Sequence, residues 1–167
     1  VFMKLVAIFY ILIFLSIPNA FSIELYSKEE AKAKIEPILA KLKIGVDKKD
    51  VSIFEEIISF PLNISSSETY VSSDGYVKIK ARTINNIKEL QEQFDTIFVP
   101  SLVSLIKCIT PDNMIYNSRK GFSAAYGSIW FFDIIEDETG IRRFALWSLS
   151  TNKDATNKWL GQECKNT

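Results

Sequence analysis

The residues whose types and spacing invite chemistry are Asp133, Tyr116, Tyr126, Cys108 and Cys164. Asp133 follows Trp130-Phe131-Phe132, the densest ring surface in the chain. A carboxylate among rings loses solvation, which raises its pKa toward the range a general base needs. A tyrosine hydroxyl nearby could donate a hydrogen bond to a developing oxyanion. On that reading Asp133 is a candidate base, with Tyr116 or Tyr126 as donor. The alternative, which we adopt, is that Asp133 opens the polar loop that follows and stays solvated, since strongly perturbed pKa values are the exception.

The chain has no histidine. The commonest general base and metal ligand is therefore missing, and so is any Ser-His or Cys-His nucleophile pair. Glu136-Asp137-Glu138 lacks the alternating oxygen spacing and glycine of a calcium loop and reads as a solvated turn facing Arg142 and Arg143. Two cysteines cannot build a structural zinc site, so no metal or cofactor is implied. In an exported chain an even cysteine count suggests a disulfide. A Cys108–Cys164 bond would close a long loop, worth about 4 kcal/mol in the chain-entropy model. The other possibility is a buried free Cys108 and an exposed Cys164. Asn63-Ile64-Ser65 fits the glycosylation acceptor triplet and is given no functional role.

The elements that must position these residues follow from composition and pattern. With 167 residues, 47% of them apolar, the chain can bury one domain-sized core. Its formal net charge is zero, so the basic footprint of a nucleic-acid binder is missing. Met3 reads as a start and Lys4 as the only charge before the apolar run Leu5 to Ile17. Pro18 breaks that run, and Ala20-Phe21-Ser22 places small residues where a signal peptidase reads. We expect residues 1–22 to be a cleaved secretory signal and 23–167 to be one mature domain. A retained membrane anchor is the competing reading, but the run is shorter than the ~20 residues a bilayer span needs. The expected location is secreted or periplasmic, with no stable membrane insertion after cleavage.

Ser27-Lys28-Glu29-Glu30 is a capping box opening a helix with Ile35, Ile38, Leu39 and Leu42 on one face. A kink or restart is expected at Pro37 and an end at Gly45. Asp47 is expected to cap a second helix over residues 48–59, stopped by Pro61. Ser65-Ser66-Ser67 reads as a loop. Asp74-Gly75 between Thr69–Ser72 and Tyr76–Lys80 predicts a hairpin, with Val77 and Ile79 facing one way and the lysines the other. Thr83 should cap a third helix carrying Ile84, Ile87, Leu90, Phe94 and Ile97, followed after Pro100 by a short helix ending near Cys108. Three strands then follow: Met114–Asn117, an organising strand within Lys120–Ile135, and Arg142–Ser150. The tail from Thr151 is polar apart from Trp159 and Leu160. Segregated helices and strands predict an α+β fold, an antiparallel sheet with helices on one face.

This order, with Ile58-Ser59-Phe60-Pro61-Leu62, Glu92 to Phe98, Asn117 to Gly121 and Gly127-Ser128-Ile129-Trp130-Phe131, resembles the nuclear transport factor 2-like superfamily. The echo is with its small exported bacterial proteins. The resemblance implies a cone-shaped, cystatin-like fold in which a curved sheet wraps a long helix. It also implies a pocket at the wide end, where the superfamily's enzymes place carboxylates or histidines. Their catalytic pattern is not matched residue by residue here, and the fold hosts isomerases, dehydratases, hydrolases and plain binding modules.

Alternation along the strands places the pocket. Ser128, Trp130 and Phe132 form an uncharged set, assigned to the concave side against Gly127, Ile129, Phe131 and Asp133. Phe144, Leu146 and Ser148 are assigned inward against Arg143, Ala145, Trp147 and Leu149. The expected ligand site is an apolar cavity lined by Trp130, Phe132, Phe144 and Leu146, with Tyr116 as polar handle. The leading functional expectation is an exported, non-catalytic binding protein holding a small apolar ligand or an envelope protein partner. An immunity or inhibitor-like role is one variant, and homodimerisation is left open. The alternative is a small-molecule isomerase or dehydratase with Asp133 as base.

Overall fold

The computed structural model describes residues 25–136 and 140–164. The expected signal segment, residues 1–22, and Asp137 and Glu138 of the acidic run lie outside the described residues.

Helix α1, Lys28–Lys48, starts at the expected capping box, with Ser27 and Glu30 bonding each other's backbone amides. It runs through Pro37 as one element instead of restarting. Proline frees one carbonyl, but Ala31, Ile35, Leu39, Leu42 and Val46 are all buried along one face, and that packing outweighs the lost bond. Gly45 does not end the helix. It lies under the Phe54 ring, where a Cβ would stand 2.7 Å from Cε2. The helix ends instead at Lys49, in the left-handed region at φ 53°.

The expected second helix is only a 3-10 turn, Val51–Glu56, capped by Asp50 and not Asp47. Asp47 accepts from Lys107 at 2.7 Å. Strand β1, Ile58–Val71, then passes through a cis Phe60–Pro61 bond and through the three serines expected to be a loop. Its pairing with β2, Val77–Ile84, shifts register between Ser65 and Thr69, so the serines form an irregularity inside a long hairpin. Gly75 takes a positive φ at the hairpin tip but Asp74 does not, so the tip is a longer loop closed by the Gly75 N–H on the Ser72 carbonyl and not the two-residue Asp-Gly turn. Thr83 belongs to β2, and Asn86 caps the next helix. Three short helices follow: α2 (Ile87–Glu92), α3 (Phe94–Ile97) and α4 (Pro100–Cys108).

The segment Lys120–Ile135 is two strands, not one. After β3, Ile115–Asn117, the chain forms β4, Gly121–Ala124, turns at Ala125-Tyr126-Gly127 and returns as β5, Ile129–Ile135. Gly121 is needed where the two cross: its φ is +88°, and a Cβ there would stand 2.1 Å from the Phe131 carbonyl oxygen. Strand β6, Arg142–Ser150, completes the sheet, and the tail, polar apart from Trp159 and Leu160, folds as α5, Lys153–Glu163. Asn152 caps α5, and Thr156 and Trp159 form its buried stripe.

The fold is α+β, an open six-stranded sheet with helices packed against it. Strand order is β2-β1-β6-β5-β4-β3. The sheet is mixed and not wholly antiparallel, because β6 docks parallel to β1 after the chain has crossed through α2–α4 and β3–β5. Its inner face contributes Phe122, Phe131, Phe144 and Leu146, all fully buried, against Ile35 and Leu42 of α1 and Leu102 of α4. Phe122 and Phe144 meet edge to face at 5.3 Å, and the interior is filled by such contacts.

Candidate functional site

Strand alternation decides where the expected site residues point; β5 keeps it and β6 does not. Trp130 pairs with Ser148 but Phe131 pairs with Leu146, so Trp147 is an extra residue on β6. Leu149, Leu146 and Phe144 can then all face inward, opposite Ile129, Phe131 and Asp133. The inward assignment of Trp130 and Phe132 is therefore corrected. Both are half-buried on the outer face, where Phe132 lies 5.7 Å from Trp147. Phe144 and Leu146 do face inward, as expected, but they are packed core. The expected apolar cavity is split between the two faces of the sheet, because a charge on a strand is a poor guide to its solvent face once that charge is paired.

Asp133 supplies the pairing. It is a β5 residue, not the start of a solvated loop, and its side chain is only 4% exposed. Arg142, 15% exposed, grips it: Nε donates to Oδ1 at 2.8 Å and to Oδ2 at 2.9 Å, and a terminal nitrogen also donates to Oδ2. The guanidinium lies 4.2 Å from the centre of the Tyr26 ring. Tyr116 donates to the Tyr26 carbonyl at 2.9 Å. Burial, and after it the charge of Asp133, pushes the Tyr116 hydroxyl above its ordinary pKa. The hydrogen bonds that Arg142 donates to Asp133 likewise hold the Arg142 pKa up. Asp133 and Tyr116 thus share one cluster, and Asp133 and Arg142 themselves line a recess of about 230 Å³ together with Leu25, Ser118, Arg119 and Ile135. As a catalytic pair they are both engaged: the carboxylate accepts from arginine and the hydroxyl is spent on a backbone carbonyl. Neither Arg142 nor Tyr26 was singled out as a site residue from the sequence.

Tyr126 lies elsewhere, on the rim of a second cleft. This cleft, about 580 Å³, opens between the β4–β5 turn, the start of β3 and α5. Its lining includes the apolar Met114, Ile115, Ala124, Trp130 and Trp159 and the polar Asp112, Tyr126, Gln162 and Glu163. The turn that builds it is strained: Ala125, Tyr126 and Gly127 stand at φ 49°, 55° and 87°, and only the last is glycine. The strain aims Tyr126 outward, where its hydroxyl donates to Gln162 of α5 at 2.7 Å. Trp130 is fixed by an indole N–H bond to the Lys120 carbonyl at 2.8 Å. Cys108 and Cys164 are disulfide-bonded, with Cα atoms 6.0 Å apart, which anchors the end of α5 to the end of α4. Trp159 went unassigned in the sequence, although Asn152 followed by Thr156 and Trp159 is a capped helical stripe.

Among the described residues, no group of three or more histidine, cysteine, aspartate or glutamate side chains could hold a metal ion, and no helix is long and apolar enough to cross a membrane. No family model, curated protein or solved structure matches the chain.

Proposed function

We propose that this is an exported, non-catalytic binding protein that holds a small apolar ligand in the cleft between the β4–β5 turn and α5. The observation that carries this is the cleft itself. Its volume lies within the ~300–1,000 Å³ of small-molecule sites, and it combines aromatic walls with a few polar rim groups. Strain at Ala125 and Tyr126 supports it, since left-handed non-glycine residues persist where the surrounding structure over-determines them. The disulfide supports export, because such bonds persist in oxidising compartments.

The isomerase or dehydratase alternative draws support from the inward position of Asp133 beside Tyr116. It is the weaker reading, because the Asp133 carboxylate is already matched by Arg142.

The test is a fluorescence titration in a Trp147→Phe background, which leaves Trp130 and Trp159, both lining the cleft, as reporters. Naphthalene and a medium-chain fatty acid are the probes. Saturable quenching that is lost in Trp130→Ala supports the reading. Linear, unsaturable quenching with both probes contradicts it and moves the weight to a protein partner.

A further inference from the structure

Strand β2 is one edge of the sheet, and its eight residues, Val77–Ile84, pair on one side only, with β1. All but Ile84 are exposed. Long free edges offer a row of unpaired backbone donors and acceptors to any extended chain. The side chains here are sorted by face. Lys78, Lys80 and Arg82 share the face that turns toward the helices, where Arg82 donates to Gln93 and, at 3.3 Å, to Thr96. Val77 and Ile79 share the other face with Val71, directly across from Val77. These three apolar side chains are 70%, 60% and 70% exposed in the order Val77, Ile79, Val71.

We propose that the β2 edge binds an extended segment of a partner protein in which aspartate or glutamate alternates with apolar residues. Such a segment would add a seventh strand. Its main chain would pair with β2, its carboxylates would meet Lys78, Lys80 and Arg82, and its apolar side chains would cover Val77 and Ile79.

Charge selects this occupant over a second copy of the chain. Antiparallel self-pairing of β2 would set one row of basic residues against another, and like charges directly opposite are destabilising. The present partners of these cations are weak competitors. Lys78 meets Asp74 at 3.2 Å and Lys80 meets Glu68 at 2.9 Å, both exposed pairs, while Arg82 bonds neutral groups. A recess of about 220 Å³ lined by Lys80, Arg82, Thr96 and Glu68 leaves room for an incoming carboxylate that displaces the exposed Glu68 from Lys80.

The experiment is fluorescence anisotropy of the whole mature protein with a labelled octapeptide alternating aspartate and valine. Saturable binding is expected, falling with added salt. The same peptide N-methylated at alternate amides should lose binding, because it cannot complete the ladder. Lys80→Glu should weaken binding by roughly tenfold or more. Because the salt and methylation arms use the unmutated protein, the outcome does not depend on that variant folding. Absence of binding overturns the proposal, as does equal binding by a lysine–valine peptide, by the methylated peptide or by Lys80→Glu. Sedimentation that shows self-association lost in Lys80→Glu also overturns it, since a second copy would then be the occupant.

Discussion

Asp133 and Arg142 stand on neighbouring antiparallel strands, β5 and β6, and close on each other as a forked ion pair on the inner face of the sheet. The pair sits where the core meets the recess by Leu25 and Arg119. Its role is to end the apolar interior with a charge-neutral cap, and Tyr26 lies across the guanidinium.

Removing one partner leaves the other charge buried. Asp133→Ala should therefore cost about 3–5 kcal/mol in stability. An Asp133→Leu/Arg142→Met double variant should recover most of that. Urea denaturation of the two variants checks it. A single variant within ~0.5 kcal/mol of the original would mean that the carboxylate is better solvated than its burial indicates.

Tyr116 makes stability depend on pH in the alkaline range. Its folded pKa is raised above the ordinary tyrosine value of 10.0 by burial and by Asp133, so the folded state holds the proton longer than the unfolded state. The stabilisation is complete below about pH 10 and is lost as pH rises from there through the folded pKa. Tyr116→Phe should lose about 1 kcal/mol at neutral pH, for the bond to the Tyr26 carbonyl. It should also show a shallower loss of stability than the original protein above pH 10. Denaturation midpoints measured across that window decide it.

Adjacent aromatic residues on β5 should behave differently. Phe131 is fully buried, so Phe131→Ala should destabilise by about 3–5 kcal/mol. Trp130 is half-buried and lines the cleft, so Trp130→Ala should cost about 1–2 kcal/mol while abolishing quenching by the naphthalene probe. Equal costs for the two would place Trp130 in the core.

The Cys108–Cys164 bond closes a loop with a sequence separation of 56. Cys108→Ser/Cys164→Ser should lose about 4 kcal/mol. The loss should appear as a lower urea midpoint. Non-reducing mass analysis of the original protein should show one hydrogen missing per thiol. Two thiols that alkylate freely in the folded protein would contradict the bond.

Local chemistry was enough to place several elements. The Ser27–Glu30 capping box, the Asp74-Gly75 hairpin and the Pro100 helix start depend on neighbours within a few residues, and each stands where its pattern predicts. Helix content, segregated strands and the even cysteine count likewise carried the α+β class and the disulfide. What needed the tertiary structure were features that distant residues decide. Pro37 and Gly45 remain in one helix because of the core and the Phe54 ring, which no local propensity contains. The β4–β5 turn depends on a left-handed Ala125 and Tyr126, residues that carry no turn signal. The face of Leu149 was decided by one extra residue on β6, and the inward position of Asp133 by an arginine on the next strand. Alternation along a single strand cannot report a bulge or a partner for its charge.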